Sequence, residues 1–208
     1  MQHVLLLFFA TFSAASAATI PPGLLNMNAA KTSVEKGKSK GVVFSLGVSS
    51  MIMVQAYIAV LISKFLYNNP DIIDVLLKIA LLVFALFAVY FFIKARQPKK
   101  KNRKTVQASK RNSYLKGFLL AGVNLLTIPY YSGLNAMWNA SGWIKFEPTD
   151  ILTFVLAAGL GTFSVLYLYV FYFNKLETKT DGFSKNANYI LSGLMLVLFI
   201  ITIFRLFY

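Results

Sequence analysis

Two short stretches concentrate the residues able to hold a polar molecule. They are Ile20-Pro21-Pro22-Gly23-Leu24-Leu25-Asn26-Met27-Asn28 and Asn124-Leu125-Leu126-Thr127-Ile128-Pro129-Tyr130-Tyr131. Proline has no amide hydrogen and its ring clashes with the preceding turn, so Pro21, Pro22 and Pro129 each interrupt a helical backbone. Gly23 accepts whatever geometry results. The freed carbonyls, together with the amides of Asn26, Asn28 and Asn124, bring donors and acceptors to one place. What they offer is reversible hydrogen bonding, not bond making. Cysteine is absent and the single histidine is His3. Disulfides, thiolate or zinc sites and histidine-based nucleophilic catalysis therefore lack their residues. Neither an enzyme nor a metal or other cofactor is expected.

The elements that must carry these stretches follow from composition. The chain has 208 residues, 57% of them hydrophobic and 13% charged, with mean hydropathy +0.63. A soluble domain carries about 25% charged residues, and here the deficit runs along the whole chain. This predicts an integral membrane protein. A bilayer core about 30 Å thick needs about 20 apolar residues per helical span. Six segments qualify: Val4–Met27, Gly41–Leu66, Ile72–Ile93, Tyr114–Met137, Ile151–Phe173 and Ala187–Phe207. Long apolar runs without short alternating strands predict helices and not a barrel.

Charge orients the spans. Seventeen of the 21 basic residues fall in odd-numbered connections: Lys31, Lys36, Lys38 and Lys40 in the first, ten between Lys94 and Lys116 in the third, and Lys175, Lys179 and Lys185 in the fifth. The acidic Asp71, Asp74, Glu147 and Asp150 lie in or beside the even ones. The positive-inside rule puts odd connections in the cytoplasm and both termini outside. The net charge of +14 is thus a topological signal, pointing to anionic lipid as partner and not to nucleic acid. The basic third connection, 94–116, reads as a cytoplasmic linker between a first half (1–93) and a second half (117–208). Met1–Ala17 resembles a cleavable signal in ending on small residues. No Lys or Arg precedes its apolar run, however, and removing it would leave five spans, so it is read as part of the first span.

The proline breaks fall in the first and fourth spans, each roughly 22 Å from its span's start at 1.5 Å per residue. One span starts outside and the other inside. Matching breaks in oppositely oriented halves predict an inverted-repeat transporter with its site between broken helices. Gln55 on the second span and Tyr130 on the fourth are further candidates to line a polar path. Gly159, Gly161 and Gly193 read as places of close helix packing.

The stretch Pro21 to Gly47 resembles the lysine-exporter (LysE/RhtB) family of amino-acid exporters. That family ends its first span on a Pro-Gly-Pro-Asn element, similar to Pro22-Gly23 and Asn26 here. It continues with a short basic segment and a glycine-containing second span, similar to Lys36-Gly37-Lys38-Ser39-Lys40-Gly41 and Leu46-Gly47. Its Asn-Pro-Lys element in the fourth span is similar to Ile128-Pro129-Tyr130 with Asn124 upstream. Leucine occupies the family's second proline position, and Asn26 stands one residue late, as in a divergent member. The resemblance implies an all-α polytopic protein of the bacterial inner membrane. It would have six transmembrane helices as two inverted three-helix halves, with helices 1 and 4 broken at proline. It implies export of amino acids or similar small amphipathic solutes by alternating access. Taken with the breaks and the polar candidates, the expected binding residues are Pro21, Pro22, Gly23, Asn26, Asn28, Gln55, Asn124, Pro129 and Tyr130. A homo-oligomer is left open. The alternative is a non-transporting membrane scaffold that recruits a partner through the basic connection.

Overall fold

The structure, a computed structural model, describes residues 2–21, 23–69, 71–96, 113–124, 126–176 and, between 192 and 204, all but 194, 195 and 198. Pro22 and most of the basic third connection and of the fifth connection lie outside these residues, Lys175 being on the last turn of the last long helix. Every regular element among the described residues is an α-helix. In chain order they are α1 (Gln2–Thr19), α2 (Leu24–Lys36), α3 (Lys38–Asn68), α4 (Asp71–Arg96), α5 (Ser113–Gly122), α6 (Thr127–Ala140) and α7 (Pro148–Leu176). The described residues of 192–204 are helical as well. α3 and α7 are long and apolar enough to cross a bilayer, and there are four such spans if each of two bent pairs counts as one.

Those bent pairs are the first and fourth spans. α1 and α2 meet at 75°, and α5 and α6 at 68°. The first break falls at the prolines, with Gly23 as the extended residue before α2. The second falls at 123–126, ahead of Pro129 and not at it. Pro129 is the third residue of α6, where a helix has no internal acceptor for the amide hydrogen that proline lacks. It starts a helix there and does not break one.

The first connection is also different from the sequence reading. Lys31 and Lys36 lie on α2, which runs on to Gly37. Ala29, Ala30 and the Lys31–Glu35 pair at 3.6 Å favour helix. Gly37, with φ +91°, is the single residue between α2 and α3, a conformation that suits glycine.

The chain forms two compact units that interleave the sequence halves: Met1–Phe65 with Ser109–Glu177, and Leu66–Ala108 with Thr178–Tyr208. In the second, the Ser192 hydroxyl donates to the Ala88 carbonyl of α4 at 3.0 Å. The first holds both breaks. Its core gathers Leu7 and Ala15 of α1, Phe44, Val48, Ile52, Ala56 and Val60 of α3, and Phe154, Ala158 and Leu166 of α7. Leu5, Phe9, Ile58, Leu61, Leu152 and Leu168 are exposed, an apolar surface that suits contact with acyl chains.

Glycines set the helix spacing. A Cβ at Gly47 of α3 would overlap the Tyr114 carbonyl of α5, and one at Gly117 of α5 would overlap the Phe44 carbonyl of α3. A Cβ at Gly161 of α7 would lie 2.5 Å from the Phe12 carbonyl of α1. Backbones so close exchange dispersion contacts that larger side chains would prevent. Gly159 packs likewise on Met53, whereas Gly193 has nothing within 4 Å.

Candidate functional site

The end of α1 is capped by side chains from three places. Pro21 and Pro22 bring no amide hydrogens, so the last carbonyls of α1 need other donors. Thr19 Oγ1 donates to Ala15 O at 2.7 Å. Asn26 Nδ2, from the first turn of α2, donates to Thr19 O and to Pro21 O. The Tyr169 hydroxyl of α7 donates to Ile20 O at 2.7 Å. Asn26 is buried, so its amide closes the break from within.

The end of α5 is served from α3. Gln55 Nε2 donates to Ala121 O and Asn124 O, both at 3.2 Å, and Gln55 is 2% exposed. Gln55 and Tyr169 thus do equivalent work, each reaching from a long helix to the broken end of a neighbouring one. The spacing matches too: Tyr169 follows Gly161 by eight residues on α7, as Gln55 follows Gly47 on α3.

A hydrogen bond joins the broken spans. The Tyr130 hydroxyl of α6 donates to Ala14 O of α1 at 2.8 Å. At 1.5 Å per residue, the first break lies about 9 Å along α1 from that bond and the second about 6–9 Å along α6. The spans run antiparallel, so both breaks sit on the same side of the bond and nearly level.

The antiparallel run is fixed at the ends. His3, at the start of α1, bonds Asp150 Oδ1 at 3.1 Å, and the Lys145 amide bonds Asp150 Oδ2 at 2.8 Å. Asp150 is fully buried in the first turn of α7, where the helix N-terminus favours an anion. Beside it the Trp138 and Trp143 rings stack, and Asn139 Nδ2 donates to Ile144 O. At the opposite end of the unit, Ser33 Oγ donates to Val170 O and the Lys38 ammonium lies 5.0 Å from the Phe171 ring centroid.

The sequence candidates are therefore used unequally. Pro21, Gly23, Asn26, Gln55, Asn124, Pro129 and Tyr130 all stand at or next to the breaks, and Pro22 lies outside the described residues. Asn28 bonds Leu24 O, one turn back on its own helix, and serves no carbonyl of α1. Asn124 contributes its backbone carbonyl, while its side chain is exposed. Sequence reasoning missed Tyr169, the His3–Asp150 pair and the buried Thr11 and Asn135. Nothing in the sequence singled them out, since Tyr167 follows Gly159 by the same eight residues that separate Tyr169 from Gly161. Among the described residues no group of His, Cys, Asp and Glu is arranged to hold a metal ion.

Two backbone breaks thus stand nearly level in one helical unit, their spans joined by the Tyr130–Ala14 bond. No curated protein and no solved structure matches the chain. Residues 16–205, which include both breaks, match the model of the LysE type translocator family. The chain belongs to that family of membrane transporters.

Proposed function

We propose that the protein exports amino acids or similar small amphipathic solutes by alternating access, from a site between its two broken spans. The observation that carries this reading is the level pair of breaks joined by the Tyr130–Ala14 bond. A free amino acid bears an ammonium and a carboxylate, and its passage through hydrocarbon without a carrier is prohibitive. A broken helix presents amides at one half-helix end and carbonyls at the other, which suits both charges without a fixed buried countercharge. Pro21, Pro22, Gly23 and Pro129 shape these ends. Asn26, Asn28, Gln55, Asn124 and Tyr130 supply side-chain partners.

The matched Gly47–Gln55 and Gly161–Tyr169 spacings support an inverted repeat, in which α1–α2, α3 and α4 correspond to α5–α6, α7 and the helical segment within 192–204. On that reading there are six spans in a bacterial inner membrane, with both termini outside and the basic 94–116 connection on anionic lipid in the cytoplasm.

Efflux tests it. Cells expressing the protein are loaded with dipeptides, and internal amino acids are followed over time. Faster loss of one or more is expected, and it should vanish when Pro21-Pro22-Gly23 is replaced by three alanines while the protein still inserts. Unchanged efflux across all twenty, with the protein confirmed in the membrane, would sink the proposal.

A further inference from the structure

A second polar cluster lies beyond the breaks, on the His3–Asp150 side. α1 buries Leu7, Thr11 and Ala15 on one face. Ala15 lies against Gly161, so that face is turned to α7. α6 buries Thr127, Tyr131, Asn135 and Trp138 on one face. There the Tyr131 ring meets Phe154 of α7 edge-on, and its hydroxyl is hydrogen-bonded to Thr162. The Tyr130–Ala14 bond ties α1 to α6 directly. Thr11 is about one turn from Ala14, and Asn135 slightly more than one turn from Tyr130, in the same direction. α1 and α6 thus both turn their buried faces to α7, with Thr11, Tyr131 and Asn135 on those faces and Thr162 on α7.

Thr11 and Asn135 are both 0% exposed, and Thr11 Oγ1 and Asn135 Oδ1 have no hydrogen-bond partner. Native proteins keep few such atoms, because a buried oxygen without a partner is costly. Valine has the shape of threonine, so packing alone gives Thr11 no reason to carry its oxygen. The Asn135 amide nitrogen is already engaged with Tyr131 O at 3.2 Å, leaving its oxygen as the open group. Both open oxygens accept hydrogen bonds, while Trp138 Nε1 on the same face of α6 is a buried donor without a partner. Two open acceptors suit a group that only donates, and an ammonium is such a group.

We propose that Thr11 and Asn135, beyond the breaks on α1 and α6, form a second station for the ammonium group of the transported solute. This rests on the export reading for the solute, but the site itself can be tested without transport. The chain has no cysteine, so Thr11→Cys introduces a single thiol into the purified full-length protein. Its reaction with an ammonium-bearing methanethiosulfonate is compared with that of the sulfonate-bearing equivalent, and the same ratio is taken at exposed Ser141→Cys. The ammonium reagent should be preferred about tenfold more strongly at position 11, and methylammonium chloride should slow it where equal sodium chloride does not. An equal preference at both positions, or no reaction at position 11, overturns the proposal. In Thr11→Val the protein should melt at or above the wild-type temperature, while the half-saturating concentration for efflux rises about tenfold. A lower melting temperature, or unchanged efflux, also overturns it. Absence of efflux from the wild type would defeat the export reading alone, with the labelling ratio still deciding the ammonium site.

Discussion

Asn26 and Asn124 stand beside the two breaks and are used in different ways. Asn26 is buried with its amide on two carbonyls, whereas Asn124 turns its side chain outward. Asn26→Leu strands both acceptors and should cost roughly 1–3 kcal/mol of stability. Asn124→Leu should stay within about 0.5 kcal/mol of wild type, yet slow efflux if its amide meets the solute. Tyr169→Phe removes the donor to Ile20 O and should cost about 1 kcal/mol. Thermal melting and efflux, measured on the same three proteins, separate these roles. Equal destabilisation by Asn26→Leu and Asn124→Leu would mean that the two breaks are held alike. Gln55 was legible in the sequence because an amide within an apolar span needs a partner. Tyr169 was not, since Leu166-Tyr167-Leu168-Tyr169-Val170-Phe171 reads as an aromatic belt, and only the Ile20 carbonyl tells Tyr169 from Tyr167.

At the scale of elements, two broken spans were expected from the prolines, but the second break lies ahead of Pro129 and not at it. A proline marks a missing donor; whether that missing donor breaks a helix or begins one depends on where the helix starts. Pro129 begins one, so the second break moved upstream to 123–126. α2 escaped notice because its Lys31, Glu35 and Lys36 look like a hydrophilic connection, although Ala, Lys and Glu are good helix formers. Of the glycine contacts, the α1–α7 one at Gly161 was legible as an expectation of close packing, and those of Gly47 and Gly117 between α3 and α5 were not. They make a sharp comparison. Gly47→Ala and Gly161→Ala each drive a Cβ into a carbonyl of the adjacent helix, and overpacking of this kind costs about 1–3 kcal/mol or more. Gly133→Ala on α6 meets nothing within 4 Å and should raise stability by up to about 1 kcal/mol, the helix preference for alanine. Melting of the three variants checks both signs. A neutral Gly47→Ala would mean that α3 and α5 do not pack backbone to backbone.

For the molecule as a whole, the relative sidedness of unit 1 and its absolute orientation have separate origins. His3, Trp143 and Asp150 share one end of the unit, and Gly37, Lys38 and Phe171 share the other. Packing fixes that much. Charge is expected to decide which end faces the cytoplasm: Lys31, Lys36, Lys38 and Lys40 cluster at the second end, and retained cytoplasmic lysines set orientation during insertion. The sequence carried the charge signal in full, because topology depends on counts of basic residues and not on their contacts. Single cysteines in this cysteine-free chain read the result directly. A membrane-impermeant thiol reagent added outside should label a cysteine placed before His3, one at Thr149 and one after Tyr208, and should spare Gly37→Cys and Lys101→Cys until the membrane is opened. Labelling of Thr149→Cys and Gly37→Cys from the same side would contradict the helix packing itself. Labelling of the two chain ends from opposite sides would remove the six-span count, and with it the inverted repeat on which alternating access depends.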